Sequence, residues 1–190
     1  MTKKYVLRVT LDRFFHVVVS SIVALCLSSG ANAFEVKSPA FEDGGKLPKI
    51  YACSKHGHGG QNHSWEITIS DTPAEAVSLV VIMDDPDARP VIGRTSVHWN
   101  VTNIPADTKS LPSTKRGKKL GVGKLGYNSG LSKSYAGMCP PNGRKHKYIL
   151  AVYALNVEFK KTLDKMTRKK FEKKYKDKII GKAEISGRWG

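Results

Sequence analysis

At 190 residues the chain is long enough for one domain with a proper core and too short for two comfortable ones. Its 32 basic and 16 acidic side chains leave a formal net charge of +16. Such an excess favours anionic partners (lipid head groups, nucleic acid, polyanions, acidic proteins) without choosing among them, and it also serves solubility.

The first 33 residues read as a secretory signal peptide. Lys3, Lys4, Arg8 and Arg13 form a basic lead, residues 14–27 an apolar run, and Ala31-Asn32-Ala33 a small-residue cleavage site before Phe34. A membrane-spanning helix needs roughly 20 apolar residues. This run is shorter and contains His16, Ser20 and Ser21. Leu25 occupies the position where a small residue precedes a lipid-modified cysteine, which argues against an anchor on Cys26. The expected product is an exported protein, periplasmic or secreted. The leader holds four basic residues and one acid, so residues 34–190 keep 13 of the 16 net positive charges.

Removal of Cys26 leaves Cys53 and Cys139, and a lone pair in an exported protein predicts one disulfide. A bridge spanning 86 residues contributes on the order of 4 kcal/mol in the chain-entropy view. No Cys-x-x-Cys spacing supports a metal site.

Residues 34–48 predict an edge strand and a turn. Residues 51–63 are rich in Gly and His, but the spacing of His56, His58 and His63 matches no common zinc pattern. A solvated loop is the expectation there, with no metal. Trp65 to Ile69 alternates as a half-buried strand, and Asp71-Thr72-Pro73 is a turn. Residues 77–83 form an apolar run that ends in Asp85-Pro86-Asp87, the pattern of a buried strand bounded by a turn. Residues 97–102 alternate again: Val97, Trp99 and Val101 point one way, His98, Asn100 and Thr102 the other. Two such strands, joined by a loop, bring Asp85, Asp87 and His98 to one end of a sheet.

Residues 108–125 carry six basic side chains and one acid-free stretch of Lys, Gly and Ser, the composition of a long exposed loop. Residues 126–137 form a second Gly/Ser-rich loop. Residues 148–155 are apolar on both faces and belong at the centre of a sheet. If that strand begins by His146, then His146 and Tyr148 share a face. The helix candidate comes last. Thr167 is its N-cap, and Phe171, Tyr175 and Ile179 form one apolar stripe. Residues 160–178 hold ten basic and three acidic side chains, so the segment can meet an anionic surface, although so narrow a stripe favours docking on the sheet. Residues 183–189 close the chain with a short strand. The sum is a mainly β, sandwich-like fold with a C-terminal helix and long loops.

The chemistry concentrates in four side chains. His98, His146 and Tyr148 are donors suited to a phosphate or carboxylate, and Gly143 lets a backbone N–H approach closely. Asp85 repels an anion unless it shares a proton with the ligand or orients a histidine. Arg89 is a further candidate contact, with Asp87 and Pro141 in support. No nucleophile elbow, trusted Ser-His-Asp order or firm metal set is present, so neither catalysis nor a cofactor is expected.

These segments also carry a resemblance. Asp85-Pro86-Asp87-Ala88, His98-Trp99 and Asn103-Ile104-Pro105 resemble the first signature of the phosphatidylethanolamine-binding protein family, also called Raf kinase inhibitor protein-like. Gly137, Cys139-Pro140-Pro141, Gly143, His146, Tyr148 and Val152-Tyr153-Ala154-Leu155 resemble its second, in the bacterial form. The likeness covers residues 34–190. It implies a central sheet packed by a second sheet and a C-terminal helix beside a small anion pocket for phosphate-bearing head groups. Asp85, His98, His146 and Tyr148 would be ligand contacts, and Asp87 a brace. It also implies a regulatory or inhibitory role, with a serine protease the reachable target outside the cytosol; nucleic acid is not expected. Four positions depart from the pattern. Arg89 replaces a proline, Trp65 stands where a proline follows the stretch Gly60, Asn62, Ser64, and Ser129 and Gly130 replace Asp and Phe after Asn128.

Overall fold

The structure is a computed structural model that describes residues 32–141 and 144–190. The leader read in residues 1–33 lies almost wholly outside the described residues, as does Gly143. Among the described residues, no helix is long and apolar enough to cross a membrane.

The arrangement is built around the apolar strand β3 (Ser78–Asp85), every residue of which is buried. It lies between β4 (Ser96–Pro105) and β7 (His146–Leu155) in a five-stranded antiparallel sheet completed by β6 (Lys124–Leu125) beyond β4 and β8 (Ile179–Trp189) beyond β7. A smaller antiparallel sheet places β2 (Ile67–Ser70) between β1 (Glu35–Lys37) and β5 (Ser110–Leu111). β2 alternates buried and exposed residues, so one face turns inward and the other meets water. The fold is mainly β, with two antiparallel sheets and a C-terminal helix.

Both faces of β3 are covered, which is why its sequence shows no alternation. Leu79, Val81 and Met83 join Trp99, Val101, Leu150 and Val152 in a core that also takes in Val36, Ile67, Ile69 and Leu111 of the small sheet. On the opposite face, Val80, Ile82, Ala151 and Tyr153 pack against Phe171 and Leu163. Phe171 belongs to the helix α2 (Arg168–Tyr175), whose first turn is capped by the Thr167 hydroxyl accepting the Lys170 N–H at 3.3 Å. Burial of Phe171 stabilises this layer by roughly 1.5–3 kcal/mol. The apolar stripe thus docks α2 and leaves most of its lysines in water.

Ile179 departs from the helical reading. The helix ends at Tyr175, a single 3-10 turn follows, and Ile179 opens β8, where it pairs with Leu155. β8 runs for 11 residues, starting well before residue 183. Gly181 and Lys182 are poor strand formers in isolation, but pairing along the whole of β7 overrides that preference. The loop at residues 108–125 is likewise not free throughout, because its two ends form β5 and β6.

The polar face of β4 is buried too. Asn100 accepts from the Met166 N–H at 2.9 Å and donates to its carbonyl at 3.0 Å. Asn103 does the same for Phe159, at 2.9 and 2.8 Å. Each amide satisfies a backbone peptide of the loop at residues 156–167, which would otherwise be covered without partners.

Candidate anion-binding site

The Asp85 carboxylate stands where β3 gives way to a 3-10 turn at Pro86–Ala88. One oxygen caps that turn, accepting the Ala88 N–H at 3.0 Å. The other accepts from Nδ1 of His146 at 2.8 Å. Antiparallel pairing of β3 with β7 makes this contact between residues 61 apart in sequence. Asp87 accepts the Lys147 N–H at 2.8 Å and ties the turn to the start of β7. Both oxygens of Asp85 are therefore engaged. It holds His146 in place, the geometry of an orienting group.

His98 reaches the same place by an irregularity. Strict alternation would put it with Asn100 and Thr102, facing the helix layer. The β3–β4 register, however, pairs Met83 with Trp99 and Asp84 with Val97, so His98 is the extra residue of a bulge. A bulge re-aims a side chain. The His98 ring accordingly turns to the other face and stands edge-on to Tyr148, with centroids 5.2 Å apart. Tyr148 is stacked in turn against His146 at 6.4 Å. The bulge is fastened from outside. Ser129 Oγ accepts the Val97 N–H at 2.8 Å, and the Val97 carbonyl accepts the Ser129 N–H at 2.9 Å. The Ala136 peptide grips His98 twice, donating to its carbonyl at 2.9 Å and accepting from ring Nδ1 at 2.7 Å.

Asp85, His98, His146 and Tyr148 line one cavity of about 180 Å³, closed by Ser96, Ala88, Pro141 and Cys139, with Val91 and Ile92 of the one-turn helix α1 (Arg89–Ile92) among its walls. Gly93, at φ 73°, takes the left-handed conformation that ends α1. Among the described residues, two polar atoms at the cavity are buried without a partner: His98 Nε2 and the Tyr148 hydroxyl. Burying a polar group unpaired costs about 1–3 kcal/mol, so each of these atoms calls for a partner that the described residues do not supply. Burial holds the His98 imidazole below the ordinary histidine range. Its Nδ1 bond to a carbonyl assigns the proton to Nδ1 and leaves Nε2 as an acceptor until a second proton arrives. Burial, followed by the charge of Asp85, pushes the Tyr148 phenol well above its usual value, so it remains an O–H donor.

The outer rim is basic. Arg89, Arg144 and Lys145 line an open groove of about 610 Å³ beside His146. Arg89 and Arg94 continue into a second groove with Lys165, Lys169 and Lys170. Cys53 and Cys139 are bonded, with Cα atoms 5.5 Å apart, and fix residues 139–141 as one wall of the cavity. Gly137 lies where a Cβ would meet Cys53 N at 2.7 Å, so the two segments approach more closely than a side chain permits.

A family model described as Phosphatidylethanolamine-binding protein matches residues 37–190. The chain belongs to the phosphatidylethanolamine-binding protein family. A UPF0098 protein of Aquifex aeolicus is 38% identical over 163 residues, covering 84% of this chain and 90% of that protein. A Mycobacterium tuberculosis relative bearing the lipoprotein name LppC is 34% identical over 139 residues, 73% of this chain and 63% of that protein. The crystal structure of Escherichia coli YbcL superimposes with a TM-score of 0.72 at 30% identity, covering 83% of this chain and 98% of that one.

Within this phosphatidylethanolamine-binding protein fold, the departures from the family pattern find places. Arg89 opens α1 and lines the groove beside His146. Trp65 is fully buried against Phe41, ring centroids 4.8 Å apart, and takes no part in the cavity wall. Ser129 clamps the bulge, while buried Asn128 shapes the loop by accepting from Gly130 N–H at 2.9 Å and donating to the Ser134 carbonyl at 2.8 Å. The three loop histidines do not converge. His56 is exposed, His63 meets Ser113 at 3.3 Å, and His58 meets Pro140 at 2.9 Å.

Sequence reasoning passed over Asp84, Ala136 and Ser129. Asp84 points to the helix side of β3, where Arg168 donates to it from Nε at 2.8 Å and from its backbone N–H at 2.9 Å. Arg168 also bonds Glu184 of β8. The signal available was the Asp84-Asp85 pair itself, since neighbours on a strand face opposite ways.

Proposed function

We propose that residues 34–190 act after export as one binding domain whose cavity takes a small oxyanion: a phosphate, or the phosphate-bearing head group of a phospholipid. Membership of the phosphatidylethanolamine-binding protein family supports ligand binding in general. The observation that carries the finer reading is the pair of buried, unpartnered polar atoms, His98 Nε2 and Tyr148 Oη, at one cavity. A protonated His98 and the Tyr148 O–H together donate two hydrogen bonds to an oxyanion, and His146, held by Asp85, supplies a third polar group from the same wall.

The size of the cavity bears on the ligand. Sites for drug-sized molecules measure roughly 300–1,000 Å³. About 180 Å³ suits a head group and leaves acyl chains outside. The basic groove with Arg89, Arg144 and Lys145 then concentrates anions at the mouth. Export rests on the leader pattern, on the Cys53–Cys139 bridge, and on a relative whose name is that of a lipoprotein.

Titration calorimetry with phosphate and phosphoethanolamine tests the reading. Binding to the wild type is expected, weakened about tenfold or more in Tyr148→Phe, which keeps the ring and removes the donor. Absence of binding, or equal affinity in Tyr148→Phe, overturns it.

A further inference from the structure

One cluster of soft ligands plays no part in the anion cavity's chemistry. The sulfurs of Cys53 and Cys139 and a ring nitrogen of His58 lie within 4.8 Å of one another. While the cysteines are bonded to each other, their sulfurs are not available as thiolates. We propose that reduction of the Cys53–Cys139 disulfide opens a Cys2His site for a thiophilic cation such as Zn²⁺.

The dimensions suit that ion. Zinc takes thiolates at about 2.3 Å and imidazole at about 2.0–2.1 Å, so tetrahedral ligand atoms sit roughly 3.4–3.8 Å apart. On reduction the two sulfurs have to part to that spacing, and the His58 nitrogen has to adjust from within 4.8 Å. Three protein ligands leave a fourth position open to water or an anion.

Access favours reduction. Cys139 is exposed and Cys53 buried, so a reductant meets the Cys139 sulfur first. Exposed disulfides belong to the reducible class. His58 also lines a cavity of about 440 Å³ with Lys46, Lys145 and Arg188. Both ring nitrogens of His58 are engaged. Its Nε2–H donates to the Pro140 carbonyl at 2.9 Å, which leaves the lone pair on Nδ1. The Trp189 indole N–H caps that lone pair at 3.2 Å and has to yield it to the metal.

The electron count closes with a dithiol as reductant. One of its thiolates attacks Cys139 Sγ, and the sulfur–sulfur bond breaks with its electron pair leaving on Cys53. The second thiol resolves the mixed disulfide, frees Cys139 and closes the reductant's own disulfide. Two electrons and two protons thus pass to the protein. Zn²⁺ then releases the two thiol protons to solvent, and the two thiolates balance its charge.

The test uses Co²⁺ as a coloured probe and Zn²⁺ as competitor, on protein reduced with a phosphine. Reduced wild type should gain a thiolate-to-cobalt charge-transfer band that Zn²⁺ abolishes, and oxidised protein should not. His58→Ala should weaken Co²⁺ binding by tenfold or more, while His56→Ala leaves it unchanged. Zn²⁺ should raise the thermal midpoint of reduced wild type and not that of the oxidised form. A reduced protein without the band, an equal band in the oxidised form, or equal affinity in His58→Ala overturns the proposal. A chain that unfolds on reduction and is not restored by Zn²⁺ overturns it as well. None of these readouts depends on an anion being bound.

Discussion

His146 and Asp85 meet at 2.8 Å with both side chains almost wholly buried, and the second oxygen of the same carboxylate caps the turn through Ala88. One carboxylate therefore does two jobs, orienting an imidazole and closing a turn. Asp85→Asn separates them. Its amide oxygen still accepts the Ala88 N–H, but its NH2 now faces Nδ1 of His146 and selects the other tautomer. Phosphate affinity is expected to fall about 10–100-fold, the range for losing the partner that orients a ligand-holding histidine. The urea midpoint should move little. Asp85→Ala, which strands both partners, is expected to cost about 1–3 kcal/mol as well. Calorimetry with urea denaturation separates the two effects.

His98 sets a pH dependence. Burial lowers its folded-state pKa from the ordinary value of about 6.5, so the unfolded chain binds a proton that the folded chain refuses. The contribution of His98 to stability is complete above about pH 6.5 and is lost as pH falls from there through the lowered value. Urea midpoints of the free protein should begin to decline below about pH 6.5, and less steeply in His98→Gln. An unchanged slope in that variant would assign the decline to another group.

Anion binding runs in the opposite sense. An oxyanion at Nε2 needs the protonated ring, so binding above the lowered pKa takes up a proton. Sulfate, whose charge does not change across this range, should lose affinity by up to about tenfold per pH unit as pH rises. Calorimetry in two buffers of different ionisation enthalpy counts the proton directly. Affinity independent of pH would remove His98 from the ligand's partners.

On the far face of the sheet, Arg168 holds Asp84 by two hydrogen bonds and reaches Glu184. The Asp84 side chain is 3% exposed. Arg168→Met keeps the stem and the backbone N–H bond but takes away the charge that pairs with that carboxylate, at a cost of up to about 3–5 kcal/mol by urea denaturation. Because the cavity is on the other face, phosphate affinity measured well below the midpoint should stay within a few-fold of wild type.

The parts of the fold that could be read from sequence were those where periodicity and burial agree. β3 and β7 show unbroken apolar runs because both their faces are covered, and Thr167 before an apolar stripe marks the start of α2. His146 and Tyr148 share a face because β7 begins at His146. What escaped depends on pairing partners. His98 reaches the cavity only through a bulge, and a bulge is a mismatch between two strands that one strand's alternation cannot reveal. Ile179 fits a helix by spacing and a strand by its partner Leu155, and the partner prevails. Asn100 and Asn103 look like a solvated face, yet they are turned inward to serve a loop some 60 residues downstream.

The strand order has a consequence for how the chain is made. β3 lies against β7, and β7 is covered by β8 at the very end of the chain. A nascent chain emerging from its N-terminus therefore has half of its main sheet missing until residues 146–189 are free to pair. Long-range pairing of this kind is slow. Until those residues emerge, one edge of β3 is without its partner.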